Sequence, residues 1–207
     1  MKIFTIRKNL TLSYSSPQLF RYERHMKELI ENNLSTICGL EPVASEFLVK
    51  NGRIDTLAYN KQTRAFVIIE YKRDKNSGVI DQGLAYLSLM MKNKAGFVLK
   101  YNEKFPSAPV SKKDINWNNC YVIFAAPEFT AHQLLAASNK SLNVILWKVK
   151  LYGNSVLTIE STADDLTEQQ NYNNEKNELN ESEDTLQDDG WRNDELWTCI
   201  KKLAGIF

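Results

Sequence analysis

The segment Phe66-Val67-Ile68-Ile69-Glu70-Tyr71-Lys72 restricts the fold of this chain more than any other stretch of it. Its β-branched and aromatic side chains suit a central strand covered on both faces. Yet the run ends in two charges. Side chains alternate along a strand, so Glu70 and Lys72 point to the same face. An exposed ion pair would be common and nearly worthless energetically. At the end of an interior strand, however, charges are costly unless paired or bound to a cation, and that makes them candidates for a site.

The preceding residues supply a partner. Gly52–Tyr59 and Arg64–Lys72 read as a hairpin turning at Asn60-Lys61-Gln62-Thr63. That turn brings Asp55 opposite Glu70, within about one residue of register. Two carboxylates so placed repel strongly unless something neutralises them. A divalent cation does so, and hard oxygen donors suit Mg²⁺ or Mn²⁺. Lys72 adds a positive charge beside it. Glu23, three residues before Met26 and seven before Ile30, borders the apolar stripe of a first helix and is placed to reach the same centre; it is equally a boundary residue paired to a cation. Glu28 and Glu31 fall away from Ile30 on the helical wheel. Gln82 and Tyr86, four apart, share one face of the helix that follows. They are candidates to line the mouth of the site, or else half-buried helix residues. Arg53, Arg73 and Lys75 are candidates for phosphate contacts, or plain solvated charges. His25 and His132 have no partner spacing and are given no role.

Around this core the pattern alternates strands and helices. Residues 1–15 read as one strand or two short ones. Ser16-Pro17 looks like a helix start, with a helix to about Asn33 and an apolar stripe of Met26, Leu29, Ile30 and Leu34. Pro42–Val49 is a strand, and Ser77–Met91 a helix. Gly96–Tyr101 is read as a strand, followed by a polar loop with two prolines. Tyr121–Ala126 is a strand and Thr130 caps a short helix. Val144–Tyr152 and Ser155–Glu160 form a hairpin turning at Gly153-Asn154.

Charge divides the chain. Residues 1–159 carry 22 basic and 12 acidic side chains, whereas Glu160 to Glu195 holds 13 acidic and 2 basic. A cationic body suits a polyanionic partner, nucleic acid above all. Residues 161–190 have too few large apolar side chains to offset their ordering entropy and are expected to be an acidic linker. Residues 191–207 regain helical spacing through Trp191, Leu196, Trp197, Ile200 and Leu203. This amphipathic helix needs a surface, either on the body or in a homodimer. Domain boundaries are therefore expected at 1–160, 161–190 and 191–207. Cys38, Cys120 and Cys199 form no zinc spacing and read as free thiols of a reducing, cytoplasmic compartment. No apolar run approaches a membrane span, so no membrane partner is expected.

Four separated segments, Glu23, Gly52-Arg53-Ile54-Asp55, Val67–Lys72 and Asp81–Met90, together resemble the PD-(D/E)XK nuclease superfamily. More narrowly, residues 1–160 are similar to prokaryotic proteins with a nuclease-like domain often followed by a domain of unknown function, DUF5655. This sequence carries the acidic linker and one helix in that place. The resemblance implies an α/β fold with a restriction-endonuclease-like core, a mixed β-sheet flanked by helices. It implies Asp55 and Glu70 as metal ligands, Glu23 as an accessory ligand, Lys72 as the residue that positions or activates water, and Gln82 as the family's helix glutamine. Ile54 stands where the family often has proline. The expected activity is metal-dependent hydrolysis of nucleic acid, DNA first. A non-catalytic nucleic-acid-binding module of the same fold, or an interaction protein acting through its tail, are the alternatives.

Overall fold

A computed structural model of the chain describes residues 2–50, 52–73, 78–153 and 155–162. It opens with an antiparallel pair, β1 (Ile3–Ile6) and β2 (Leu12–Ser15). Next come β3 (Pro17–Gln18), α1 (Glu23–Glu31) and α2 (Leu34–Cys38). Three consecutive antiparallel strands follow: β4 (Glu41–Val49), β5 (Gly52–Asn60) and β6 (Ala65–Tyr71). Helices α3 (Val79–Lys92) and α4 (Lys94–Lys104) lead to β7 (Tyr121–Ala126), which lies parallel to β6. Then α5 (Ala131–Ala137) leads to β8 (Val144–Tyr152), parallel to β7, and β9 (Val156–Ser161) folds back on β8. The main sheet runs β3-β8-β7-β6-β5-β4, with β9 along β8. It is a mixed α/β architecture in which one sheet separates two helical layers, and the described residues fall within one compact unit, Met1–Asp165.

Strand β6 is the spine. Every residue from Ala65 to Tyr71 is buried, because helices cover both faces. Phe66 and Ile68 enter the core beneath α3 and α4 with Met90, Phe97, Tyr101, Val122 and Phe124. Val67, Ile69 and Tyr71 enter the opposite core with Met26, Ile30, Leu34 and Trp147. Glu70 occupies the next place on the Phe66/Ile68 face.

Two elements differ from the sequence expectation. The first helix begins at Glu23, with Tyr22 as its uncapped boundary. Pro17 and Gln18 instead pair with Tyr152 and Leu151 of β8. Proline lacks an N–H and so tolerates the start of a short strand, and it biases Ser16 towards extended backbone. Within the stripe, Met26, Ile30 and Leu34 are buried but Leu29 is exposed. The second difference is at 96–101, which is helix α4 rather than strand. Phe97, Val98 and Tyr101 sit at helical spacing and are buried, while Leu99 points out. Phe97 packs edge-on against Phe47 and Phe66, and this tertiary packing overrides the β-propensity of the local sequence. The expected linker beyond residue 162 and the helix at 191–207 lie outside the described residues. No described helix is long and apolar enough to cross a membrane.

Candidate functional site

Asp55 is positioned by a paired break in two strands. Ile54 and Leu57 belong to the same core though three residues apart, which strict alternation forbids. Across from them Ala44 and Phe47 pack on that core with the same spacing. The register passes from Ser45↔Thr56 to Phe47↔Ile54, leaving Glu46 and Asp55 at the bend. Glu46 has φ +53°, a left-handed conformation that costs a non-glycine residue about 1–2 kcal/mol. Backbone held this way often marks a site where geometry matters more than stability.

The β5–β6 ladder reaches Thr56↔Ile69, so Asp55 stands across from Glu70. There the two carboxylates take over from the backbone ladder. The Asp55 N–H donates to Glu70 Oε1 at 3.1 Å, and the Tyr71 N–H donates to Asp55 Oδ2 at 3.2 Å. Each acid is thereby fixed by the other's strand. Glu70 is only 2% exposed. Burial, and then the adjacent Asp55 carboxylate, push its carboxyl up to about 7, against the opposing pull of the Asp55 N–H and Lys72.

Three more residues complete the Glu70 side. Lys72 Nζ lies 3.8 Å from Glu70 Oε2, and the Lys72 N–H donates to Ala125 O, so the lysine is anchored to β7. From α3, Gln82 Nε2 donates to Glu70 Oε2 at 3.3 Å and to the Tyr86 hydroxyl at 3.2 Å. Tyr86 departs from the expectation of a mouth residue. It is 8% exposed, and its hydroxyl donates to Arg53 O at 2.8 Å. Tyr86 therefore braces β5 and is the helix residue of the two expectations, more fully buried than expected. Gly83, between these residues, lets α3 approach the sheet: a Cβ there would meet the Phe124 ring at 2.9 Å and Val144 Cγ2 at 3.3 Å.

On the α1 side of Asp55 lies a cavity of about 570 Å³. Glu23, Lys27 and Glu31 face it from one stripe of α1, with Ser45 from β4 and Asp55 and Tyr71 from the sheet. Glu23 Oε2 accepts the Arg73 N–H at 2.9 Å, which ties α1 to the end of β6. Glu31, placed off the stripe by the wheel, accepts the Ser45 hydroxyl at 3.1 Å, and burial raises its carboxyl above the usual range. Among the described residues, no group of three or more His, Cys, Asp or Glu side chains is placed to hold one metal ion. Asp55 and Glu70 are thus brought together as a pair, with Glu23 near Asp55 but engaged elsewhere. Arg53 pairs with Glu46, Arg73 follows the strand end, and Lys75 lies outside the described residues. Sequence reasoning missed Lys27, Glu31 and Glu46. The spacing of 23, 27 and 31 on a helix was the available signal.

No protein-family model matches the chain. It is 45% identical over 159 residues to an uncharacterized protein of Haemophilus influenzae, covering 77% of this chain and 52% of that protein. The chain thus spans about half the length of this relative. Among solved structures it is similar to a repair endonuclease from Pyrococcus abyssi, at 23% identity and a TM-score of 0.33, covering 59% of this chain and 46% of that one. It is also similar to a chain of the EndoMS–dsDNA complex, at 21% identity and a TM-score of 0.33, covering 60% and 44%.

Proposed function

We propose that this protein is a metal-dependent nuclease that hydrolyses phosphodiester bonds in nucleic acid, with DNA as the first substrate to test. The observation that carries the reading is the carboxylate pair itself. The Glu70 carboxylate is held by the Asp55 N–H and the Asp55 carboxylate by the Tyr71 N–H, with Lys72 Nζ 3.8 Å from Glu70. Two adjacent carboxylates, hard oxygen donors, fit a divalent cation, which would relieve their repulsion. Mg²⁺ is commonly held by one or two carboxylates, with water and phosphate oxygens completing its shell, so a protein donor set of Asp55 and Glu70 suffices. When bound, such a metal lowers the pKa of a water and polarises the phosphate.

The chain's own residues have separate tasks. Asp55 and Glu70 bind, and the strand bend fixes their spacing. Gln82 holds the Glu70 carboxylate in one orientation from α3. Lys72 presents positive charge where negative charge develops on the scissile phosphate, and orients the attacking water. Arg53, Arg73 and Lys75 are proposed to meet the backbone phosphates. The cationic body adds affinity that is independent of base sequence and falls with salt.

The test is cleavage of labelled single- and double-stranded DNA and RNA with Mg²⁺, Mn²⁺ or EDTA. Cutting by the wild type that needs metal is expected to fall by at least about 100-fold in Asp55→Asn and Lys72→Met, with circular dichroism unchanged. Salt-sensitive binding without cutting in any metal would assign the protein to the alternative, a binding module of the same fold.

A further inference from the structure

The cavity beside Asp55 holds an arrangement that the carboxylate pair does not require. Lys27 projects into it from α1 with a side chain only 11% exposed. A buried ammonium needs a counter-charge, and the Lys27 Nζ finds one in Glu46. The other oxygen of Glu46 receives Arg53 Nε at 2.6 Å. One carboxylate thus bridges two cations, and its own side chain is 44% exposed. The other cavity acids have different duties: Glu23 takes the Arg73 N–H, Glu28 pairs with Arg24, Glu31 takes the Ser45 hydroxyl and Asp55 the Tyr71 N–H. Glu46 sits at the strand bend across from Asp55 and is the solvent-facing member of its pair with Lys27.

A phosphodiester offers what Glu46 offers, two oxygens sharing one negative charge. We infer that Lys27 and Arg53 form a subsite for a nucleic-acid phosphate beside Asp55, and that Glu46 is a built-in competitor that fills it when no nucleic acid is bound. The identity of the ligand rests on the nuclease reading. The subsite itself rests on the Lys27–Glu46–Arg53 geometry. Glu46 neutralises both cations, the buried Lys27 and the exposed Arg53, until a phosphate displaces it, so polyanions that cannot displace it gain less from them.

The experiment measures binding of a short labelled DNA duplex in EDTA by fluorescence anisotropy, for wild type, Glu46→Gln, Lys27→Met and the double variant. Glu46→Gln is expected to bind about ten-fold tighter at low salt, with a log–log salt slope steeper by about one. Adding Lys27→Met to Glu46→Gln is expected to return both quantities towards wild type. If wild type binds and Glu46→Gln binds no tighter, or if the double variant keeps the gain, the subsite is refuted. A second arm uses inorganic pyrophosphate and thermal unfolding. Stronger stabilisation of Glu46→Gln than of wild type, with no DNA binding by any variant, would uphold an anion subsite and sink the nucleic-acid reading. Equal pyrophosphate responses with no DNA binding would overturn the subsite as well.

Discussion

At the scale of single residues, burial and the Asp55 carboxylate work against the ionised form of Glu70. Its carboxyl is held at about 7 in the folded protein, against an ordinary value of 4.5. The folded state therefore binds more protons than the unfolded chain between those values. Metal-free stability should be greatest below about pH 4.5 as far as this group is concerned, fall as pH rises through about 7, and be lost to it above that. The contribution is on the order of 3 kcal/mol at most. Urea unfolding in EDTA at pH 5 and pH 8 would measure it. In Glu70→Gln, which stays neutral, the fall is expected to flatten; an unchanged fall would mean that other groups drive it. If Asp55 and Glu70 hold the metal as proposed, added Mg²⁺ is expected to stabilise wild type most at the higher pH, because protons and metal would compete for the same oxygens. The Cys120 thiol, buried and pushed up to about 11, is expected to resist alkylation in the native state.

At the scale of elements, α3 and α5 make separable predictions. Gly83→Ala would drive a methyl into the Phe124 ring, so α3 must shift or the core must strain. A loss of about 1–3 kcal/mol is expected, together with reduced cleavage because Gln82 and Tyr86 ride on the same helix. Thermal unfolding and single-turnover cleavage would measure the two effects. Thr130→Ala removes one half of a capping box in which Thr130 Oγ1 accepts the Gln133 N–H and Gln133 Oε1 accepts the Thr130 N–H. It should cost about 1 kcal/mol with cleavage unaltered, since α5 supplies no residue to the site. Helix α3 was legible from its sequence, but α4 was not. Its run of Phe97, Val98, Leu99 and Tyr101 satisfies strand preference locally, and only the Phe47 and Phe66 rings that receive Phe97 decide for helix.

At the scale of the whole molecule, the β1–β2 hairpin stands apart. None of its residues enters either buried core, and Phe4, Ile6, Leu12 and Tyr14 are exposed. A lone two-stranded hairpin is at best marginally stable in water. Removing residues 1–15 is therefore expected to leave the melting temperature within about 3 °C of the full chain, because β3 and its pairing with β8 are retained. A larger drop would show that the hairpin supports the body. The cationic excess of residues 1–159 also acts at this scale. On the proposed reading, nucleic-acid binding is expected to weaken steeply between low and physiological salt, as filter binding would show.

The sequence by itself determined the spine and the placement of its charges. Continuous burial of residues 65–71, the hairpin turn and the face shared by Glu70 and Lys72 all follow from strand periodicity, which is a local property of the chain. The facing of Asp55 and Glu70 was also legible, because a tight turn fixes register. Tertiary structure decided the rest. The bend at Glu46 and Asp55 couples a left-handed residue in β4 to a change of face in β5, and no single segment encodes that. The place of Glu31 in the cavity depends on how α1 lies across β4, and the Lys27–Glu46–Arg53 bridge joins residues up to 26 positions apart. Such charges read locally as a solvated surface, and only long-range packing determines which of them lose water and must find partners.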